Sequence, residues 1–232
     1  MRRLGEVNLE PFMNALPPSP RTRVKRLGER GHYDRETIHE ILDSATHCHV
    51  GYVIGGKPYV TPTAHWRHGD RVYWHGSSAS RMLEHQAGGA EVCLTVTHID
   101  GFVLARSGFH HSVNYRSVMA FGRAEIVEGE AAKRSALDGF IERLFPGRMA
   151  ELRPHNAQEL KATMVLSLAL DEASAKIRTG PPKDDEEDYA LPIWAGVLPV
   201  QLGHGAPVPD PRLTPGIAEP EYLHRFALTR KS

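Results

Sequence analysis

Hydrophobic and polar positions alternate in most of the chain between residues 46 and 127, and a period of two is typical of β-strands. Short turn signals such as Gly-Gly, His-Gly-Asp and Asp-Gly separate these runs, so we predict mainly antiparallel pairing. The six runs are THCHVGYVI, KPYVTPTAHW, RVYWH, EVCLTVTHI, GFVLAR and SVNYRSVMAFGRAEIV. Six such strands favour a closed or nearly closed barrel, a mainly β fold with flanking helices.

The last of these runs predicts one long strand from about Ser112 to Val127, with a bend or bulge at Gly122 where it turns a barrel corner. Two later runs, TMVLSLAL and ASAKIR, predict closing strands.

Apolar residues recur at helical spacing in three other segments. Asp34 is placed to cap a helix whose buried stripe is Ile38, Ile41, Leu42 and Ala45. The segment EAAKRSALDGFIERL predicts a second helix, ended by Pro146 and Gly147, with Leu137, Phe140, Ile141 and Leu144 on one face. Asn156 followed by Glu159 matches the capping-box pattern and predicts a short third helix.

The two ends of the chain differ from this β-rich part, which we place at residues 31–180. Residues 1–30 are proline-rich and then basic, which predicts an N-terminal arm that is either solvated or in contact with a phosphate or a partner. Residues 181–232 are acidic and then rich in proline, which predicts an extended tail. Its apolar stretch LPIWAGVLPV would pack on the barrel or on a second subunit, because exposed apolar patches promote association.

Charge and cysteine content exclude several classes of function. The chain has 28 basic and 28 acidic residues, so no broad attraction to nucleic acid or to a membrane surface is expected. Cys48 and Cys93 lie in separate apolar runs and predict reduced core thiols rather than a disulfide or a zinc site. No long apolar run or signal peptide is evident in the sequence, and a cytoplasmic protein is expected.

The segment HGSSASRML has the composition of an anion site. Ser77, Ser78 and Ser80 carry hydroxyl groups, Gly76 allows a tight bend, and Arg81 adds a charge near the start of a predicted helix. The alternative is that these serines simply cap the helix.

The order of PYVTPTAHW, VYWHGSSASRML, EVCLTV, NYRSVMAFGRAEIVE and AKIRTGPP resembles the pyridoxamine 5′-phosphate oxidase-like family of FMN-binding split-barrel proteins, over roughly residues 21–200. The resemblance implies a six-stranded antiparallel split barrel over residues 31–180, a homodimer, and one FMN per subunit at the subunit interface. It also implies oxidoreductase chemistry on a small-molecule substrate, with the protein mainly positioning the flavin.

The same resemblance implies which residues bind FMN. The flavin ring would lie against Val60, Thr61, Pro62 and Thr63 on an edge strand. The ribityl chain and phosphate would contact a second set, and the long strand would complete the site from one or both subunits. The residues that contact the ribityl chain and phosphate would be His75, Ser77, Ser78 and Arg81. Those on the long strand would be Tyr115, Arg116 and Ser117.

Two departures from the family pattern leave the reaction open. Ala79-Ser80-Arg81 stands where vitamin B6 oxidases have a lysine and a paired Ser-Arg, and their C-terminal arginine and histidine motif is not found. His65, His75 and Tyr115 are candidate proton donors only by location, so no catalytic residue is assigned.

Two other classes of function are retained as alternatives. The chain has 14 histidines, and pairs such as His47 and His49, His65 and His68, or His110 and His111 could ligate haem or a metal. Related split-barrel groups resemble haem-binding or nitroimidazole-resistance proteins. No carboxylate or cysteine stands at a ligand offset, so no metal ligand is assigned. The other class is a flavin-binding module without turnover.

Overall fold

The β-rich prediction is confirmed in a computed structural model that describes residues 15–226. This part of the chain contains ten strands and four α-helices. The strands are β1 Gly31–His32, β2 His47–Ile54, β3 Lys57–His68, β4 Arg71–Ser77, β5 Glu91–Leu104, β6 Ser112–Arg123, β7 Glu125–Ile126, β8 Thr163–Ala169, β9 Ala173–Arg178 and β10 Gly196–Pro199. The helices are α1 Arg35–Asp43, α2 Arg81–Ala87, α3 Glu130–Leu144 and α4 Ala157–Ala162.

All strand pairs are antiparallel, and the strand order is β1-β9-β6-β5-β2-β3-β4-β8-β7, with β10 added beside β5. Strand β3 is shared by two sheets. Its residues 57–64 pair with β2 in the first sheet, which also contains β1, β5, β6, β9 and β10. Its residues 65–68 pair with β4 in the second sheet, which also contains β7 and β8. The arrangement agrees with a split barrel. It has more strands than the six predicted, and the sheet does not close on itself.

Two predicted strands are one strand in the structure. EVCLTVTHI and GFVLAR together form β5, and the Asp-Gly pair predicted as a turn is a register shift between Ile99 and Gly101. The neighbouring strand β6 runs past both halves, so the chain continues instead of reversing. A side chain at Gly101 would lie 2.9 Å from Val197 Cγ1 in β10, which explains why glycine suits this position.

The predicted long strand, by contrast, is divided. Strand β6 ends at Arg123, Ala124 is not in a strand, and β7 pairs separately with β8. Gly122 has a φ of 155°, and a Cβ there would lie 2.9 Å from Leu168 Cδ1. The predicted bend at Gly122 is therefore present, and it transfers the chain toward the second sheet.

The helix caps read from the sequence are largely confirmed. Asp34 accepts a hydrogen bond from the Thr37 N–H at 2.8 Å, and Asn156 and Glu159 form both halves of a capping box. In α1 the residues Ile38, Ile41 and Leu42 are buried as predicted. In α3 only Leu137 of the predicted apolar face is fully buried.

Two apolar clusters hold the sheets and helices together. The larger is formed by α1 and both sheets, and includes Val50, Leu94 and Val118 of the first sheet and Leu168 of the second. The smaller consists of Trp66, Leu137, Leu160 and Val165, and joins the second sheet to α3 and α4. Helix α3 therefore packs on the second sheet through a cluster of its own.

Residues outside the predicted barrel also pack on it. In the described part of the predicted arm, Leu16 joins the larger cluster, and Arg21 forms ion pairs with Glu172 and, at 2.9 Å, with Glu91. In the tail, β10 pairs with the second half of β5, and Asp184 accepts hydrogen bonds from the backbone N–H and guanidinium of Arg106, both at 2.9 Å. The rest of the predicted arm and the final tail residues lie outside the described range.

No α-helix within residues 15–226 is long and apolar enough to cross a bilayer.

Candidate functional site

The stretch Val60–Thr63 lies on an open strand edge. One side of this part of β3 pairs with β2, whereas β4 reaches β3 only from His65 onward. Within the part of the chain that the structure describes, no strand pairs with the other side of residues 60–63. The backbone N–H and C=O groups along that edge are therefore available to a ligand, except at Pro62, which has no N–H.

The serine-rich segment after β4 offers hydroxyl groups rather than a helix cap. Ser77 Oγ accepts a hydrogen bond from the Ala79 N–H at 3.2 Å. Ser80 occupies the N-cap position of α2 but makes no capping bond, which differs from the simple capping alternative. Neither the Ser78 nor the Ser80 hydroxyl forms a hydrogen bond within residues 15–226. Because α2 has only seven residues, these hydroxyls and Arg81, rather than the helix dipole, are the groups that could bind an anion here.

Arg81 has an aromatic contact and no acidic partner among the described residues. Its guanidinium carbon lies 5.7 Å from the centre of the Tyr59 ring, within the usual range of a cation–π interaction. Tyr59 in turn stacks on Tyr52, with ring centres 5.6 Å apart and planes 12° apart. The positive charge of Arg81 is thus held in place and is not neutralised.

The two tyrosines connect the two predicted parts of the site. Tyr59 directly precedes Val60, and the Tyr52 hydroxyl lies 3.0 Å from Thr61 Oγ1. The structure therefore brings the open edge of β3 and the Ser78–Arg81 segment together in one subunit. Sequence reasoning missed this pair, although a signal was present: Tyr52 and Tyr59 are equidistant from the Gly55-Gly56 turn and so face each other across the hairpin.

His75 and His65 are placed inside the protein rather than at this edge. The His75 ring packs against Trp66 and Phe140, with centre distances of 5.6 and 4.7 Å, and burial lowers its pKa. His65 is 1% exposed, its Nε2 lies 3.0 Å from the Leu42 carbonyl oxygen, and burial lowers its pKa to about 4. His65 is consequently neutral at neutral pH, a poor state for donating a proton.

Tyr115, Arg116 and Ser117 are not close to Val60 within one subunit. They lie on β6, three strands from β3, which corresponds to about 14 Å at the usual strand spacing. Arg116 also has another partner, because its guanidinium donates to both carboxylate oxygens of Asp100 at 3.0 and 2.9 Å. This pairing raises the pKa of Arg116 and offsets the charge that was predicted to meet a phosphate.

Comparison with known proteins places the chain in a family. The model described as pyridoxamine 5′-phosphate oxidase matches residues 34–177 of the 232. The chain belongs to this family. No curated protein matches the chain.

Several proteins with solved structures share the fold. The flavocytochrome Anf3 from Azotobacter vinelandii is 50% identical, with a TM-score of 0.86 over 91% of this chain and 100% of that one. The FAD and haem binding protein from Mycobacterium smegmatis is 38% identical, with a TM-score of 0.82 over 85% of this chain and 97% of that one. A 5-nitroimidazole antibiotic resistance protein from Bacteroides thetaiotaomicron, described as putative, is 24% identical, with a TM-score of 0.51 over 62% of this chain and 84% of that one. At this level of identity, the similarity shows a common fold alone.

Proposed function

We propose that this protein binds a flavin nucleotide non-covalently and acts as a flavin-dependent oxidoreductase on a small molecule. The observation that carries the proposal is Arg81, a cation without an acidic partner in the described chain, held beside the open edge of β3. The names of the relatives that are 50% and 38% identical, a flavocytochrome and an FAD-binding protein, support the same cofactor class. We also propose that the protein is cytoplasmic. Its free thiols Cys48 and Cys93 agree with that setting.

The residues present fit a flavin. The backbone edge at Val60–Thr63 can read the polar end of the ring, and Arg81 with the free hydroxyls of Ser78 and Ser80 can hold a phosphate. When bound, a flavin supplies hydride or electron transfer. The protein would orient it and exclude water. His65 is buried and His75 is half-buried against Phe140, so neither is placed to deliver a proton at the β3 edge.

The identity of the nucleotide is the first point to test. We propose FMN from the phosphate site, whereas the name of the Mycobacterium smegmatis relative gives FAD, which carries an additional adenylate. The full chain would be purified, and the released flavin measured by fluorescence before and after phosphodiesterase treatment, which converts FAD to the more fluorescent FMN. Unchanged fluorescence supports FMN, a several-fold increase assigns FAD, and a protein that neither retains nor rebinds either flavin contradicts the proposal.

Turnover separates an oxidoreductase from a flavin-binding module. The holoprotein would be reduced without oxygen and then mixed with small acceptors such as nitroaromatic compounds or quinones. Reoxidation by at least one acceptor faster than by oxygen alone supports an oxidoreductase. Equal rates across the whole panel would favour the module.

We also propose that the protein is a homodimer. The sheet face opposite α1 carries exposed apolar side chains on five strands: Val53, Val60, Ile99, Phe102, Met119 and Leu198. Strand register puts Tyr115 and Ser117 on this same face, whereas Arg116 points toward α1. A second copy on this face would cover the apolar side chains and could bring its own β6 near the flavin edge.

The substitution Met119→Glu tests the dimer, because Met119 is 44% exposed on this face and a charge there would oppose association. Sedimentation is expected to show a dimer for the natural chain and a monomer for the variant. The matched control is Ile126→Glu, because Ile126 is similarly exposed but lies on β7. This variant should leave the dimer intact.

Haem is a second candidate ligand. Two relatives are named as a flavocytochrome and as an FAD and haem binding protein. His47, His49 and His68 are exposed here and make no hydrogen bond or ion pair within residues 15–226. His47 and His49 lie on the same strand face with ring centres 5.9 Å apart, so they cannot clamp one haem from opposite sides, and one subunit offers a single axial ligand from this pair.

Haemin titration of the full chain tests this candidate. A Soret shift of the natural chain that is lost in one of His47→Ala, His49→Ala or His68→Ala, and kept in His204→Ala, would identify the ligand. No Soret shift with the natural chain would remove haem from the proposal, and a shift that all four variants keep would remove these three histidines as its ligands.

A further inference from the structure

A cleft separates α3 from the second sheet, beside the part of β3 that follows the flavin edge. Its helical wall consists of small residues at positions i, i+3, i+4 and i+7 of α3: Ala132, Ser135, Ala136 and Gly139. Side chains of this size cannot fill the space between a helix and a sheet, and a cavity of about 560 Å³ remains. This volume lies within the range of small-molecule sites.

An indole N–H group without a protein partner opens into this cleft. Trp66 is 3% exposed and lines the cavity, and its Nε1 makes no hydrogen bond within residues 15–226. A methyl group on Gly139 would lie 3.9 Å from this nitrogen, so the indole N–H group lies beside the glycine on the helical wall. The other buried tryptophan, Trp74, bonds to Gln86 at 3.0 Å, so of these two indoles Trp66 is the one whose N–H group is free for a ligand.

The surrounding side chains define the chemistry of an occupant. Trp66 is fixed by a stack with Tyr73, with ring centres 5.6 Å apart and planes 17° apart, so its N–H has a set direction. The cations on the lining are already paired, Arg71 with Glu125 and Arg67 with Asp43. The arginines therefore offer no free charge to an anion, and the exposed carboxylate of Glu128 on the same lining would repel one, whereas the helix wall and the sheet wall suit a flat uncharged ligand.

We propose that this cleft binds a small, flat, uncharged aromatic molecule that carries a carbonyl group, with the carbonyl oxygen accepting a hydrogen bond from Trp66 Nε1. The site is separate from the open edge at Val60–Thr63, and the proposal does not depend on flavin binding.

Nuclear magnetic resonance of the indole N–H groups gives a direct test on the full chain, with 2-acetylnaphthalene as the probe. The protein has three tryptophans, and Trp66→Phe assigns the relevant signal. Titration is expected to move the Trp66 indole signal downfield in a saturable manner and to leave the Trp74 signal in place. No saturable shift of the Trp66 signal up to the solubility limit of the probe would overturn the proposal.

Filling the cleft supplies the variant test. Gly139→Leu should weaken the probe at least tenfold, and Ala131→Leu, on the same helix but not on the cleft wall, should leave the affinity unchanged. Ser135→Leu serves the same purpose at a more exposed position if Gly139→Leu does not fold, as judged by thermal unfolding. A shift that persists unchanged in whichever cleft variant folds would contradict the site.

Discussion

Two arginines that look equivalent in the sequence have opposite surroundings. Arg81 lies over the Tyr59 ring with no acidic partner in the described chain, whereas Arg116 is held by both oxygens of Asp100. A guanidinium over an aromatic ring keeps its charge available, and a guanidinium paired with a carboxylate does not. The partner of an arginine, more than the arginine itself, therefore decides whether a phosphate site can form.

The largest expected effect is on flavin affinity. Arg81→Ala should raise the dissociation constant about 10- to 100-fold, because one charge-assisted phosphate contact is worth about 1.5–3 kcal/mol. Isothermal titration with FMN and with FAD measures it. Arg116→Ala is the matched variant and should change the constant by less than about twofold. Equal losses of flavin affinity in both variants would contradict this difference and would show that Arg116 also contributes to the flavin site.

A smaller effect is expected from the ring beneath Arg81. Tyr59→Leu should weaken flavin binding about two- to fivefold, the equivalent of about 0.5–1 kcal/mol for an exposed cation–π contact. Tyr59→Phe keeps the ring and should restore nearly all of the affinity. Equal affinities of the leucine variant and the natural chain would show that Tyr59 does not position Arg81.

The smallest effect concerns stability at the other arginine. Arg116 and Asp100 are each about one-third exposed, so their pair should contribute about 0.2–1 kcal/mol to the free energy of unfolding. A double-mutant cycle with Arg116→Ala and Asp100→Ala, followed by urea unfolding, measures the coupling. A coupling near zero would mean that the pair orders the strands without stabilising them.

Local patterns predicted the parts of the fold that depend on neighbouring residues. Asp34 and the Asn156–Glu159 pair cap their helices because both partners lie within three positions. Alternation likewise identified β2, β3, β4, β8 and β9.

The failures concern partners that lie farther apart in sequence. Asp100-Gly101 has the composition of a turn. In the structure the pair forms a bulge, because the neighbouring strand β6 continues past it and pairs with β5 on both sides. Asp100 was not recognised as the partner of Arg116, since they meet across two strands. Within the candidate site, the sequence predicted the open edge of β3 and the cation Arg81, but not the packing of His75 against Phe140, which belongs to a helix distant in sequence.

The two halves of β5 obtain their partner strands at different times during synthesis of the chain. Its first half pairs with β2, which is made before it, but the partner of residues 101–104 is β10, which leaves the ribosome more than ninety residues later. Until then this backbone edge is open to another chain, and open edges are where nascent proteins aggregate. Arg106 lies just after this edge, and its partner Asp184 is also made later, so an unpaired positive charge stands beside the open strand and disfavours its pairing while the chain is incomplete.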